Sequence, residues 1–186
     1  NAKKMKELNA LLAPLGFEVI PQGQLGIPEA EEPHCTFVEN ALAKARHAAA
    51  HSGLPALADD SGLCVEALHG APGVLSARYA GDPKSDARNN EKLLTHLKEH
   101  ANRKAHFYCV LVLVRAAHDP QPIIAEGEWP GEILPEQQGE GGFGYDPLFF
   151  VPEFGQTAAE MDSETKNRVS HRGRAMQKLI ERLPSL

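Results

Sequence analysis

The acidic pair Asp59-Asp60, followed by Ser61-Gly62, is a place in this chain where residue types and spacing could do chemistry. An apolar run stops there, so both carboxylates are expected at a strand end, with Gly62 permitting a tight reversal behind them. Carboxylates are the hard oxygen donors that magnesium takes one or two at a time, alongside substrate phosphates. The same four residues also compose an ordinary turn, so the pair gains meaning only together with other segments.

Further along, Gly139, Gly141 and Gly144 formally spell G-x-G-x-x-G. That pattern binds a dinucleotide phosphate only when it follows a strand and opens a helix. Here Asp146-Pro147 and an apolar stretch come next, and the dinucleotide reading is rejected. What remains is a loop presenting Phe143, Gly144, Tyr145 and Asp146, able to stack an aromatic face on a base while a carboxylate bonds its edge. A plain hairpin loop is the alternative. Near the C-terminus, Lys166 precedes Ser170-His171-Arg172, where Ser170 can cap a helix and place His171 and Arg172 in its first turn. Cations there oppose the macrodipole, which suits a role in holding an anion or a base edge, an ordinary surface turn being the other reading. Lys3 and Lys4, in the first turn of the first helix, raise the question of phosphate binding.

His96, Glu99 and His100 spell H-x-x-E-H, a zinc-peptidase pattern, and His47 and His51 also stand four apart. Exposed side chains on polar helix faces account for both, since neither set offers the third ligand a catalytic zinc needs.

The elements that must position these groups follow from periodicity. Met5, Leu8, Leu11 and Leu12 predict a helix from Asn1, its N-cap, to Ala13, ended by Pro14. Phe17 to Ile20 reads as a short strand and leads into an acidic loop with Glu29, Glu31 and Glu32. Thr36 and Glu39 form a capping box before an Ala-rich helix ending near Ser52-Gly53. Leu57 to Asp59 and Leu63 to Val65 read as two short strands flanking the acidic pair, and a helix carries Leu93, Leu94 and Leu97. His106 to Arg115 is the best strand, apolar enough for burial on both faces. Ile123 to Trp129 and Leu148 to Val151 are further strands, and an amphipathic helix runs from Ser170 to about Leu183.

The 186 residues suffice for a sizeable core in one domain spanning 1–186. A net charge of −6 disfavours binding to polymeric nucleic acid. The longest apolar stretch, Tyr108 to Val114, is too short to span a bilayer, and no signal-like start is seen. Cys35, Cys64 and Cys109 fit reduced thiols acting as small core hydrophobes. The expectation is a soluble cytoplasmic protein with neither a nucleic-acid nor a membrane partner.

Taken in order, these segments resemble the inosine/xanthosine triphosphate pyrophosphatase family. The likeness runs through Asn1-Ala2-Lys3-Lys4, Thr36-Phe37-Val38-Glu39-Asn40-Ala41, Ala58-Asp59-Asp60-Ser61-Gly62-Leu63, Ala71-Pro72-Gly73, Ser76-Ala77-Arg78-Tyr79, Gly142-Phe143-Gly144-Tyr145-Asp146-Pro147 and Ser170-His171-Arg172-Gly173. The resemblance implies an α/β fold in which a long twisted mixed sheet, with helices on both sides, divides two lobes flanking a substrate cleft, commonly in a homodimer. It implies hydrolysis of ITP, dITP or XTP to the monophosphate and pyrophosphate with Mg2+ as cofactor. Asp60 is then the proton acceptor and shares the metal with Glu32, and Asp59 is a supporting carboxylate. Asn1 and Lys4 match a triphosphate loop, and Ser61 and Lys166 match further substrate contacts. Phe143, Gly144, Tyr145 and Asp146 with His171 and Arg172 match the purine pocket. Roles for Lys3 and Glu39 are less defined.

The family pattern begins with a strand and a hydroxyl-bearing turn just ahead of the position of Asn1, so the resemblance implies that such residues precede this sequence and complete the phosphate loop. Lys3 stands where the family often has glycine, adding a charge near the phosphates. The rival from another class is a non-catalytic purine nucleotide sensor using the same pocket, against which the retained Asp59, Asp60 and Glu32 argue.

Overall fold

Thr36 acts as the N-cap its sequence context predicts. In a computed structural model that describes residues 2–183, the side chains of Lys3 and Glu7 apart, Thr36 Oγ1 accepts the Glu39 N–H at 3.3 Å and opens α2 (Phe37–Ser52). Ahead of it lies α1 (Ala2–Leu12); Asn1, expected as its cap, is outside the described residues. The remaining helices are α3 (Asp86–Leu97), α4 (Ser163–Val169) and α5 (His171–Arg182). Ser170 caps α5 as expected, its hydroxyl accepting the Gly173 N–H at 3.2 Å.

Strand β2 (Lys104–Val114) is flanked by β1 (Ala56–Val65) and β3 (Ile123–Ile133), with β4 (Phe149–Val151) and β5 (Gln156–Thr157) beyond. Strand order follows chain order, and every pairing among the described residues is antiparallel, where a mixed sheet was implied. The alternation of side chains along β2 explains its unbroken apolarity. Cys109, Leu111 and Leu113 pack under Ala175, Met176 and Leu179 of α5, and Val110, Val112 and Val114 meet Ala41, Ala45 and Ala49 of α2. Helices therefore cover both faces. Beyond them, Leu93 and Leu97 of α3 join Phe107, Trp129 and Phe149 in a third cluster.

Three expectations are corrected. Phe17 to Ile20 is not a strand, because no described strand runs beside it to complete a ladder; only Val19 packs inward, while Phe17 and Ile20 are exposed. The two short strands around the acidic pair are one strand, β1, paired with β2 through Asp59↔Leu111 and Asp60↔Val110. Gly62 is no turn residue. A Cβ there would lie 2.4 Å from the Gly73 carbonyl oxygen, so glycine admits the chain segment that crosses β1. Of the cysteines, Cys109 is buried with its thiol pushed up to about 12, chiefly by burial, whereas Cys35 is exposed.

Strand β3 runs past Trp129 through Pro130, further than the sequence suggests. Alternate carbonyls of this strand turn away from β2: those of Ile124, Glu126 and Glu128 accept from Arg182, Lys178 and Arg174, each at 2.8 Å. Pro130 falls in the same alternation, on the side where no strand requires its missing N–H. No helix among the described residues is long and apolar enough to cross a membrane.

Candidate active site

Because β1 is a continuous strand, its consecutive side chains point to opposite faces of the sheet. Asp60 faces α2. Lys44, one turn beyond Asn40 on that helix, places its ammonium 3.4 Å from Asp60 Oδ1 and 2.5 Å from Glu32 Oε1. The acidic loop is held there by Asn40, which accepts the His34 N–H at 3.0 Å and donates to the His34 carbonyl at 3.1 Å. Arg78 reaches the other oxygen of Glu32 at 3.8 Å. Asp59 faces α1 and α5, with Lys4 Nζ at 2.8 Å and Arg172 Nη2 at 3.6 Å. Ser61 lies on the same side, its hydroxyl 3.4 Å from Arg172.

Charge follows this division. Burial, reinforced by Glu32 and Asp59, pushes the Asp60 carboxyl above its ordinary range despite the opposing Lys44. Burial acts the same way on Asp59, yet Lys4 and Arg172 outweigh it and hold that carboxyl low. The Lys44 ammonium is disfavoured by burial but held above its ordinary pKa by the Glu32 hydrogen bond and the nearby carboxylates. One oxygen of Asp60, Oδ2, is buried and accepts no hydrogen bond among the described residues.

The second end of the site is aromatic at its wall. His171 opens α5 where Gly127 of β3 has no side chain; a Cβ there would sit 1.9 Å from the His171 carbonyl oxygen. Its ring stacks on Phe107 at 4.9 Å and 15°. Burial, then Arg172, Lys166 and Lys4, press the imidazole pKa well below its ordinary value. Arg172, beside it in the first turn of α5, shares the Asp59 carboxylate with Lys4.

Opposite stands the loop of Phe143, Gly144, Tyr145 and Asp146, which leads into β4, as its sequence required, and into no helix. Phe143 is 47% exposed, while Tyr145 and Asp146 are buried. The Tyr145 hydroxyl donates to the Ser76 carbonyl at 2.7 Å. Asp146 accepts from the Phe143 N–H at 3.0 Å and from the Lys166 ammonium. Its carboxylate thus fixes the loop and sets Lys166 5.1 Å from the Phe143 ring centroid. Between the two ends lies a cleft of about 380 Å³ lined by residues of both.

Of the sequence-derived candidates, the structure gathers Lys4, Glu32, Asp59, Asp60, Ser61, Phe143, Gly144, Tyr145, Asp146, Lys166, His171 and Arg172 around this cleft. Asn1 is outside the described residues. Lys44 escaped the sequence reading, since nothing local separates it from an ordinary helix-surface charge. Elsewhere, His96 Nδ1 bonds the Tyr79 hydroxyl at 2.6 Å, His47 Nε2 bonds the Pro28 carbonyl, and His51 Nδ1 bonds the His47 carbonyl.

An antiparallel sheet with helices on both faces, holding carboxylates and lysines at one end of a cleft and aromatics at the other, makes this an α/β protein with a two-ended cleft. The chain matches the Ham1 family over residues 1–182, and it belongs to that family. It is 67% identical to the dITP/XTP pyrophosphatase of Aromatoleum aromaticum over 98% of its own length and 92% of that protein's. To the dITP/XTP pyrophosphatase of Nitrosomonas europaea it is 62% identical, over 98% and 90%. Among solved structures, a HAM1 protein from Coxiella burnetii superposes with a TM-score of 0.97 at 48% identity, over all of this chain and 95% of that one.

Proposed function

We propose that this protein hydrolyses the deaminated purine nucleoside triphosphates ITP, dITP and XTP to the monophosphate and pyrophosphate, clearing them from the nucleotide pool. The observation that carries the reading is the division of the cleft into a charged end at Glu32, Lys44 and Asp60 and an aromatic end at Phe143 and His171. The names of the relatives agree with it.

Asp60 takes the proton of the attacking water. A carboxyl with a raised pKa is a stronger base than an ordinary one, and Lys44 beside it favours its ionised form. The water oxygen forms a bond to the α-phosphorus as the bond to the bridging oxygen breaks, and pyrophosphate leaves. Lys4 and Lys44 absorb the charge that develops on the phosphate oxygens.

The donor set suits Mg2+. Glu32 and Asp60 are hard carboxylates that already hold a positive charge between them, and Asp60 Oδ2 is buried and unsatisfied. Magnesium typically takes one or two carboxylates and draws the rest of its shell from phosphate and water. When bound, Mg2+ would neutralise triphosphate charge and polarise the phosphoryl group. Selectivity falls on the 6-oxo edge of hypoxanthine or xanthine: a donor aimed at that oxygen is opposed by the 6-amino group of adenine. Guanine keeps the 6-oxo group, so its rejection rests on the 2-position.

The test is pyrophosphate release from ITP, dITP and XTP beside ATP and GTP, with and without Mg2+. Magnesium-dependent release preferring the first three is expected. Orthophosphate as the product would overturn the reading, and tight ITP binding without turnover would replace it with the sensor. On the family resemblance we take the protein to act as a homodimer in the cytoplasm, which light scattering and fractionation check.

A further inference from the structure

The loop that carries Phe143 has no ladder of its own, yet one of its residues is held at both backbone groups. The Gly144 N–H donates to Asp86 Oδ2 at 2.8 Å, and the Gly144 carbonyl accepts from Asn90 Nδ2 at 2.9 Å. Asp86 and Asn90 are one turn apart on α3, so a single helix face grips the peptide from both sides. Asn90 is 2% exposed and spends its other N–H on the Asp86 carbonyl at 2.9 Å. The position of α3 is fixed in turn by Asn89, which donates to the Ala77 carbonyl at 3.0 Å and accepts the Ala80 N–H at 2.8 Å.

Helix stability does not call for this arrangement. Any acidic side chain in the first turn would satisfy the dipole of α3, and Ser85 already caps it. Asp86 is exposed at the rim of the cleft, and its carboxylate is aimed 58 residues along the chain at the base-side loop.

We infer that Asp86, backed by Asn90, is a specificity-determining positioning residue: by fixing the Gly144 peptide it sets the pose of Phe143 and of the Lys166 held by Asp146 toward the purine. The inference rests on the triphosphate hydrolysis proposed above and adds where base selectivity is set. Without this grip the loop samples other poses, and the base is held less often in the productive one. The charged end of the cleft is unchanged, so the chemical step is spared.

The experiment compares wild type, Asp86→Ala and Asp86→Asn for kcat and KM with ITP, the ratio of kcat/KM for ITP over ATP, and thermal melting. Asp86→Ala is expected to raise KM for ITP about tenfold and to lower the ITP/ATP ratio, as befits the loss of one charge-assisted hydrogen bond. Its kcat should stay within about threefold and its melting temperature within a few degrees. Asp86→Asn keeps an acceptor for the Gly144 N–H and should recover most of the loss. An Asp86→Ala enzyme with wild-type KM and selectivity, or an Asp86→Asn enzyme as impaired as Asp86→Ala, overturns the inference. A wild type that does not prefer ITP over ATP would instead overturn the functional reading beneath it.

Discussion

Asp59 and Asp60 are adjacent in the chain but serve opposite faces of one strand, Asp59 held by Lys4 at 2.8 Å and Asp60 by Lys44 at 3.4 Å. The pleat thus separates two neighbouring carboxylates into different electrostatic surroundings, one cation-rich and one shared with a second acid.

Their substitutions should move stability in opposite directions. The depressed Asp59 carboxyl contributes stability above its unfolded pKa near 3.8, lost as pH falls through the folded value. The raised Asp60 carboxyl contributes fully below 3.8 and loses that contribution as pH rises through its folded value. At pH 7, Asp59→Asn should lower the melting temperature, at a cost of about 1–3 kcal/mol, between the exposed and buried limits for an ion pair. Asp60→Asn should raise it. Thermal melts of the two variants check both signs.

For turnover the order reverses. Asp60→Asn should reduce kcat by about 10²–10⁴, the usual contribution of a positioned base, while ITP binding by calorimetry persists. Asp59→Asn should act mainly through KM, because it frees Lys4 and Arg172. The Mg2+ concentration for half-maximal rate should not change in Asp59→Asn, whereas a role for Asp59 in holding the metal would raise it.

The acid limb of kcat/KM should lie above the ordinary carboxylate range, since a base must be ionised to work and burial has raised the Asp60 pKa. Lys44 lowers that pKa. Lys44→Met should therefore carry the limb to higher pH as well as reduce the rate, a shift readable in pH–rate profiles.

Adding one methyl group at Gly62 tests the crossing at β1. The new Cβ would meet the Gly73 carbonyl at 2.4 Å and Ser76 Oγ at 2.6 Å, so Gly62→Ala should cost about 1–3 kcal/mol. Several degrees of melting temperature follow for a chain of this size.

What the sequence made legible was the part written locally. The helix caps at Thr36 and Ser170 formed because each depends on residues a few positions apart, and the doubly buried strand around Tyr108 to Val114 formed because its apolarity marks both faces for burial; of the capping box only the Thr36 half is made, since the Glu39 carboxylate takes the Thr36 hydroxyl. The acidic pair misled for the opposite reason. Asp-Asp-Ser-Gly has the composition of a turn, but pairing with β2 along its whole length keeps β1 extended. Phe17 to Ile20 has strand-like residues and no described strand beside it. Lys44 and Asp86 look like ordinary helix-surface charges until the fold sets them against Asp60 and Gly144, 16 and 58 residues away.

The row formed by Arg174, Lys178 and Arg182 has a meaning beyond holding α5 in place. Helix residues four apart rise about 6 Å and strand residues two apart about 6.6–6.8 Å, so the two repeats stay nearly in step over three contacts. Each cation occupies a carbonyl that would otherwise offer itself to a stray strand. An encountering chain meets positive charge in place of open acceptors, and the margin of β3 resists becoming the seed of an aggregate.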